Sequence, residues 1–317
     1  MTKPCQQIEQ PLFIVGPLRS GTTLLRLMLD HHPQIRVFGE FEYAVAAARG
    51  DAWPLITDYH DWLKTERMFQ DVNLEINPNL DYHSLVHDFF RQHASRTSKP
   101  MVGATIHSRI DLIPKLWPHA RYIHLLRDPR DVARSTIGMG WTGHVERGIN
   151  YWIHTEEHWD ILCQQTISEQ RYEIRYENLI RSTEYELTNL CAFLGFEFDP
   201  AMLEFCRNTT YQPPDPSLTE QWRRKMTPRE IALVEIRAGD LLSRRGYEAS
   251  GHPLTPPGFL ERLSLTLINR WNLTGFAIKR YGLSLWLQRL ILKRFGSSTA
   301  RQRLSLRLNE IDRQHLR

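Results

Sequence analysis

Short apolar runs alternate with amphipathic stretches through residues 12–195. Residues 12–16 (LFIVG) form an apolar run that ends in glycine, which predicts a buried strand. Residues 22–30 (TTLLRLMLD) carry helical periodicity. Further short runs predict strands at 35–38, 101–104 (MVGA), 121–126 (RYIHLL) and 172–175 (YEIR). Residues 44–49, parts of 57–98 including 82–94, 146–168 and 185–194 read as helices. The last of these stops at Gly195, and Asp128-Pro129 starts another with Pro in the first turn. Strands alternating with helices predict an α/β fold, a parallel sheet with helices on both faces.

Proline punctuates the remainder. Residues 211–225 (YQPPDPSLTEQWRRK) predict a loop over the body, and Pro253, Pro256 and Pro257 mark a boundary. The expected division is a body, 1–252, and an α-helical C-terminal appendage, 253–317. In the appendage Leu283, Leu287, Ile291 and Phe295 recur every four residues, with Arg289 and Lys293 on another line. No internal repeat and no low-complexity tract is present.

Composition sets bounds. A chain of 317 residues, 41% hydrophobic and 24% charged, can bury a core without metal or disulfide staples. Disorder, collagen and coiled coil are excluded as the main state. Cys5, Cys163, Cys191 and Cys206 form no CxxC pair, which predicts a reducing, cytoplasmic setting. No apolar run with a basic flank precedes the first strand, so no secretory leader is expected. No run approaches the ~20 residues of a membrane span.

The net charge of +4 hides an asymmetry. Residues 1–250 hold 28 Lys+Arg against 33 Asp+Glu, a net −5; residues 251–317 hold 12 against 3, a net +9. The tail therefore predicts a separate contact, with an anionic membrane at its periphery, an acidic partner or its own acidic body. The plainer alternative is a solvated helical face. No nucleic-acid partner is expected.

Chemistry concentrates in two places. Gly16-Pro-Leu-Arg-Ser-Gly-Thr-Thr23 follows a strand and opens a helix. In that context backbone N–H groups and the helix dipole favour an anion. Gly21 permits close approach, and Thr22 and Thr23 supply hydroxyls. Against the nucleotidase loop GxxxxGK[ST], both glycines match, but Thr22 replaces the Lys and the cation sits earlier, at Arg19. A triphosphate with Mg²⁺ fits poorly; one phosphate with a group to transfer beside Arg19 fits better. The second cluster, Arg127-Asp-Pro-Arg-Asp-Val-Ala-Arg-Ser135, begins at the carboxyl end of a strand, the edge where open α/β sheets bind ligands. Arg127 and Ser135 suit an anion, whereas Asp128 and Asp131 paired with Arg130 and Arg134 would make only a salt-bridged surface helix.

GPLRSGTTLL after a strand, with RDPRDVARS about a hundred residues on, resembles the sulfotransferases that use 3′-phosphoadenosine 5′-phosphosulfate (PAPS). TTLLRLMLDHHPQIRVFGE and IRYENLIRSTEYELTNLCAFLGF are similar to the tyrosylprotein and related bacterial branch, over residues 11–248 in all. The resemblance implies a P-loop-like fold and sulfuryl transfer from PAPS to a hydroxyl, without a metal. It implies that Arg19, Ser20, Gly21, Thr22 and Thr23 hold the 5′-phosphosulfate, Arg127 and Ser135 the 3′-phosphate, and that Tyr176 contacts the nucleotide. It places the general base at Glu40, with Glu42 as rival; the alternative for Glu40 is a carboxylate at a helix N-terminus. Arg19 would offset charge on the leaving phosphate.

Two departures stand out. Thr105 occupies the place of a family Lys, with His107 or Arg109 as substitutes, and Gln221 stands where a Lys precedes a Trp, with Arg223, Arg224 or Lys225 as substitutes. His154-Thr-Glu-Glu-His158 matches a zinc pattern but has no third ligand in view. Two other functions remain open: a P-loop kinase or nucleotidase, marked by Mg²⁺-dependent ATP turnover, and a non-catalytic nucleotide-binding scaffold. The acceptor hydroxyl belongs to a peptide tyrosine, a sugar, a lipid or a small molecule. Residues 45–98 and 211–225 are expected to shape its pocket.

Overall fold

The computed structural model describes residues 10–315. The body begins β1 (Leu12–Val15), α1 (Thr22–Asp30), β2 (Ile35–Glu40), α2 (Ile56–Leu63), α3 (Arg67–Val72), α4 (Tyr82–Ala94) and β3 (Met101–Ile106). It continues α5 (Ile113–Leu116), β4 (Arg121–Leu126), α6 (Pro129–Gly138), α7 (Val145–Gln165), β5 (Arg171–Arg175), α8 (Tyr176–Arg181) and α9 (Thr183–Leu194). Then come α10 (Trp222–Lys225), α11 (Pro228–Ala238), α12 (Asp240–Arg244) and the tail helices α13 (Phe259–Phe295) and α14 (Ser298–His315). The five strands pair in parallel in the order β2-β3-β1-β4-β5. The expected α/β fold is the observed one.

Every β1 residue is buried, because both faces of the sheet are covered. Phe13 and Val15 face a cluster with Phe90 and Trp117; Leu12 and Ile14 face another with Leu25, Met28 and Leu179. Trp152, Trp222 and Val234 belong to a third cluster, which seats α11 beside α6 and α7. Cys163, Cys191 and Cys206 are free thiols; Cys5 lies outside the described residues.

Two local expectations fail. Residues 44–49 are not a helix: only a 3₁₀ turn, Glu42–Ala44, forms. The Tyr59 hydroxyl donates to the Tyr43 carbonyl and the Tyr82 hydroxyl to the Ala44 carbonyl, so these acceptors are engaged by side chains. β2 runs two residues further than 35–38, and its pairing with β3 slips by one between Val37 and Glu40. Glu40 thus ends a bulged strand rather than starting a helix. Bulges re-aim side chains in this way beside functional sites.

The tail packs onto the body. On α13, Asn269 Oδ1 accepts from the Gly143 amide (2.8 Å) and Asn272 Nδ2 donates to the Gly143 carbonyl (2.8 Å). Phe276 lies so close to Gly140 that a Cβ there would fall 2.1 Å from its ring. On α14, Asn309 Nδ2 donates to the Thr65 carbonyl (3.0 Å) and Arg313 pairs with Asp71. Asp312 accepts from Tyr281 and Arg280, which ties the two helices together across the kink at Gly282.

Beneath α7, the His124 ring on β4 lies between Glu173 (3.0 Å) and Glu156 (3.1 Å). Burial alone would lower its pKa, but the two carboxylates more than offset this and raise it to about 9. The stabilisation is therefore complete below the ordinary value of about 6.5 and is lost as pH rises through about 9. His124→Gln should lower the melting temperature most in mildly acidic buffer, with the deficit shrinking through that window; a deficit independent of pH would contradict this.

Candidate functional site

The β1–α1 turn is held by backbone geometry first. The Ser20 amide donates to the Pro17 carbonyl (3.0 Å), and Arg19 and Gly21 take φ values of 74° and 100°. A Cβ on Gly21 would lie 2.5 Å from the Tyr176 ring, so only glycine fits there without movement. Tyr176 opens α8 directly after β5, which is how that ring reaches the loop.

The second cluster meets this turn across the strand ends. Arg19 Nε donates to Ser135 Oγ (3.0 Å). Arg127 Nη1 donates to the Arg19 carbonyl (3.0 Å), and Nη2 to the Leu218 carbonyl (3.1 Å). The Arg127 guanidinium lies 4.1 Å from the centre of the Tyr176 ring. Arg19, Gly21, Thr22, Thr23, Arg127, Ser135 and Tyr176 all line one cavity of about 480 Å³. Ser20 does not line it; it is buried behind the turn, with Oγ unpartnered. Tyr211, Pro213, Pro214 and Gln221 from the loop after α9 form the facing wall.

Burial pulls the Arg19 guanidinium below its ordinary pKa, and Arg127 pulls in the same direction. Two cations lining one cavity beside a helix N-terminus suit a polyanion. The glycine cradle, the Thr22 and Thr23 hydroxyls and the unpartnered, buried Arg127 Nε fit a ligand with two anionic ends. Arg130 does pair with Asp128, but as part of a buried cluster with Glu235 rather than on a surface helix, and Asp131 lies 3.8 Å from Arg127.

Among the late-loop cations, Lys225 is the one beside the donor site. It shares a second cavity, of about 550 Å³, with Arg19, Arg134 and Ser135, and its Nζ donates to Gln221 Oε1 (2.6 Å). Arg223 stacks on Trp222, and Arg224 donates to the Ser217 carbonyl. Arg134 was missed as a lining residue, because the sequence offered it only as an ion-pair partner of the nearby acids.

Glu40 lies outside the donor cavity, its side chain 40% exposed, with Arg67 at 3.9 Å and His107 Nε2 at 4.0 Å. Strand register sets it opposite Thr105. His107 Nδ1 lies 2.9 Å from the Gly16 carbonyl; since a carbonyl only accepts, Nδ1 carries the proton and Nε2 turns to Glu40. Arg109 instead reaches the Gly50 carbonyl. Glu42, the rival base, is buried and accepts from the His107 amide (2.7 Å). His158 faces Asp111 and His154 faces Glu157; among the described residues no group of three His, Cys, Asp or Glu could hold a metal.

Residues 11–200 match the model of the sulfotransferase family, ending short of the loop that walls the cavity. The chain is 26% identical over 314 residues to omega-hydroxy-beta-dihydromenaquinone-9 sulfotransferase Stf3 of Mycobacterium tuberculosis (strain CDC 1551 / Oshkosh), covering 76% of each chain. It is 24% identical over 208 residues to the protein-tyrosine sulfotransferase of Drosophila melanogaster, covering 62% of this chain but 40% of that one. In fold it is similar to the sulfotransferase domain of the Synechococcus PCC 7002 olefin synthase, with TM-score 0.53, 22% identity and coverage of 76% and 99%.

Burial pushes the Glu42 carboxyl up to about 7; His107 opposes the rise and Glu40 adds to it. The folded chain then binds a proton that the unfolded chain releases near its ordinary value, so stability falls as pH rises from about 4.5 to about 7. Glu42→Gln keeps the neutral shape. Its stability advantage in urea unfolding should grow across that window by at most about 3 kcal/mol; a constant difference would contradict this.

Proposed function

From the premise that the chain belongs to the sulfotransferase family, we propose that it passes a sulfuryl group to the hydroxyl of a lipid-like acceptor, with Glu40 taking the proton. PAPS supplies the sulfuryl group, and its 3′,5′-bisphosphate is the leaving group. The loop amides, Thr22 and Thr23 would hold the 5′ end, Arg127 and Ser135 the 3′-phosphate, and Tyr176 the nucleoside. Arg19 would offset charge gathering on the leaving phosphate. Thr105 offers no charge; Arg134, which lines both cavities, and Lys225, in the second, are the further cations near that phosphate.

The observation that carries the catalytic assignment is the link from the loop to Glu40. His107 donates to the Gly16 carbonyl at the base of the loop and presents Nε2 to Glu40. His107 thus lies between the loop carbonyl and Glu40, which supports placing the base close to the donor. Glu42 is less suited, being enclosed and held by the His107 amide.

The lipid-like acceptor rests on the match to Stf3, whose named substrate is a hydroxylated dihydromenaquinone. That match covers 76% of both chains, whereas three tyrosine-sulfating relatives are matched over 40–69% of their length and 61–62% of this chain. With ³⁵S-labelled PAPS and extracts of the host cells, label should enter the organic phase, and Glu40→Gln should slow its entry about 10²–10⁴-fold. Adenosine 3′,5′-bisphosphate affinity should stay unchanged in that variant. Label confined to protein would contradict the acceptor, and undiminished turnover by Glu40→Gln would contradict the base.

A further inference from the structure

The tail carries an apolar surface that its own fold leaves open. On the first half of α13, Leu260, Leu263, Leu267 and Trp271 follow one side of the helix and are 50–80% exposed. Beyond the kink at Gly282, Leu283, Leu287, Ile291 and Phe295 repeat the pattern, 43–79% exposed. The predicted amphipathic stripe is therefore real, but it faces outward; Asn269, Asn272 and Phe276 make the contacts with the body.

Charge says what covers it. The three tail acids are consumed: Glu261 pairs with Arg229, Glu310 with Arg313 and Asp312 with Arg280. Among the described residues Arg270, Lys279, Arg289 and Lys293 have no ion pair, and they interleave with the apolar stripe. Two helical segments, each with projecting Trp, Leu or Phe flanked by unopposed Arg and Lys, match an anionic bilayer interface, where rings enter the headgroup boundary and cations meet phosphates. Among the described residues no helix is long and apolar enough to cross a membrane.

We propose that α13 lies on the surface of an anionic bilayer and docks the enzyme there. The placement serves the site. α13 is anchored at Gly140 and Gly143, just beyond the helix that carries Ser135. α14 is anchored at Asp71, which also faces Arg67, the neighbour of Glu40. The docking surface thus adjoins elements on both the donor and the base side. It does not depend on the acceptor's identity, because vesicle binding and turnover are measured separately.

The test is co-sedimentation of the full chain with vesicles of phosphatidylcholine alone and of phosphatidylcholine mixed equally with phosphatidylglycerol. Binding should require the anionic lipid and weaken at high salt. The Leu267→Glu/Trp271→Glu and Lys293→Glu/Arg294→Glu variants should each bind about tenfold more weakly or worse. Both should retain heat protection by adenosine 3′,5′-bisphosphate, which reports an intact fold. Failure of the native chain to bind anionic vesicles would overturn the proposal, as would undiminished binding by Leu267→Glu/Trp271→Glu. A native dimer dissolved by that variant would overturn it too, since a second copy would then cover the face.

Discussion

Arg127 is the brace on which the donor site depends. Its guanidinium closes the β1–α1 turn through the Arg19 carbonyl, holds the late loop through the Leu218 carbonyl and covers the Tyr176 ring. Its own carbonyl accepts from Trp152 Nε1 (3.0 Å), which fixes the backbone from the side of α7. One side chain therefore joins the ends of β1, β4 and β5 to the cavity wall. A permanently charged, forked donor can make these bonds together; a lysine has neither the plane nor the reach in several directions.

The same brace explains the electrostatics. Drawing Arg127 against the Arg19 carbonyl places two cations on one cavity, which favours an anionic ligand there. In an acidic body, Arg19, Arg127 and Arg134 thus meet at one cavity, which Asp131 and Asp215 also line. On the other side of the loop, the Gly16 carbonyl engages His107, and His107 faces Glu40. The cavity and the proposed base therefore both neighbour a single stretch of backbone, Gly16 to Gly21.

Much of this was legible because it is local. β1 is a continuous apolar run and the other strands are short runs with apolar centres, and both candidate anion motifs sit at strand ends, so residue order alone placed Arg19, Gly21, Arg127 and Ser135 near one edge. What was not legible depends on partners distant in sequence. In place of the helix expected at 44–49 stands a turn whose first carbonyls, on Tyr43 and Ala44, accept from the distant Tyr59 and Tyr82. The position of Glu40 depends on a bulge that appears only once β2 pairs with β3. Choosing Lys225 over Arg223 and Arg224 required the fold of the late loop. The tail's charge was visible, but its anchoring on Gly143 and Asp71 was not.

The central claim is that Arg127 and Ser135 read the 3′-phosphate of the donor while the turn reads the 5′ end. Calorimetric titration with adenosine 3′,5′-bisphosphate and with adenosine 5′-phosphate isolates the 3′ group. The native chain should favour the bisphosphate by about 100-fold, as charge-assisted contacts to one phosphate allow, and Arg127→Gln should lose most of that preference. A variant that binds both ligands in the native ratio would contradict the account.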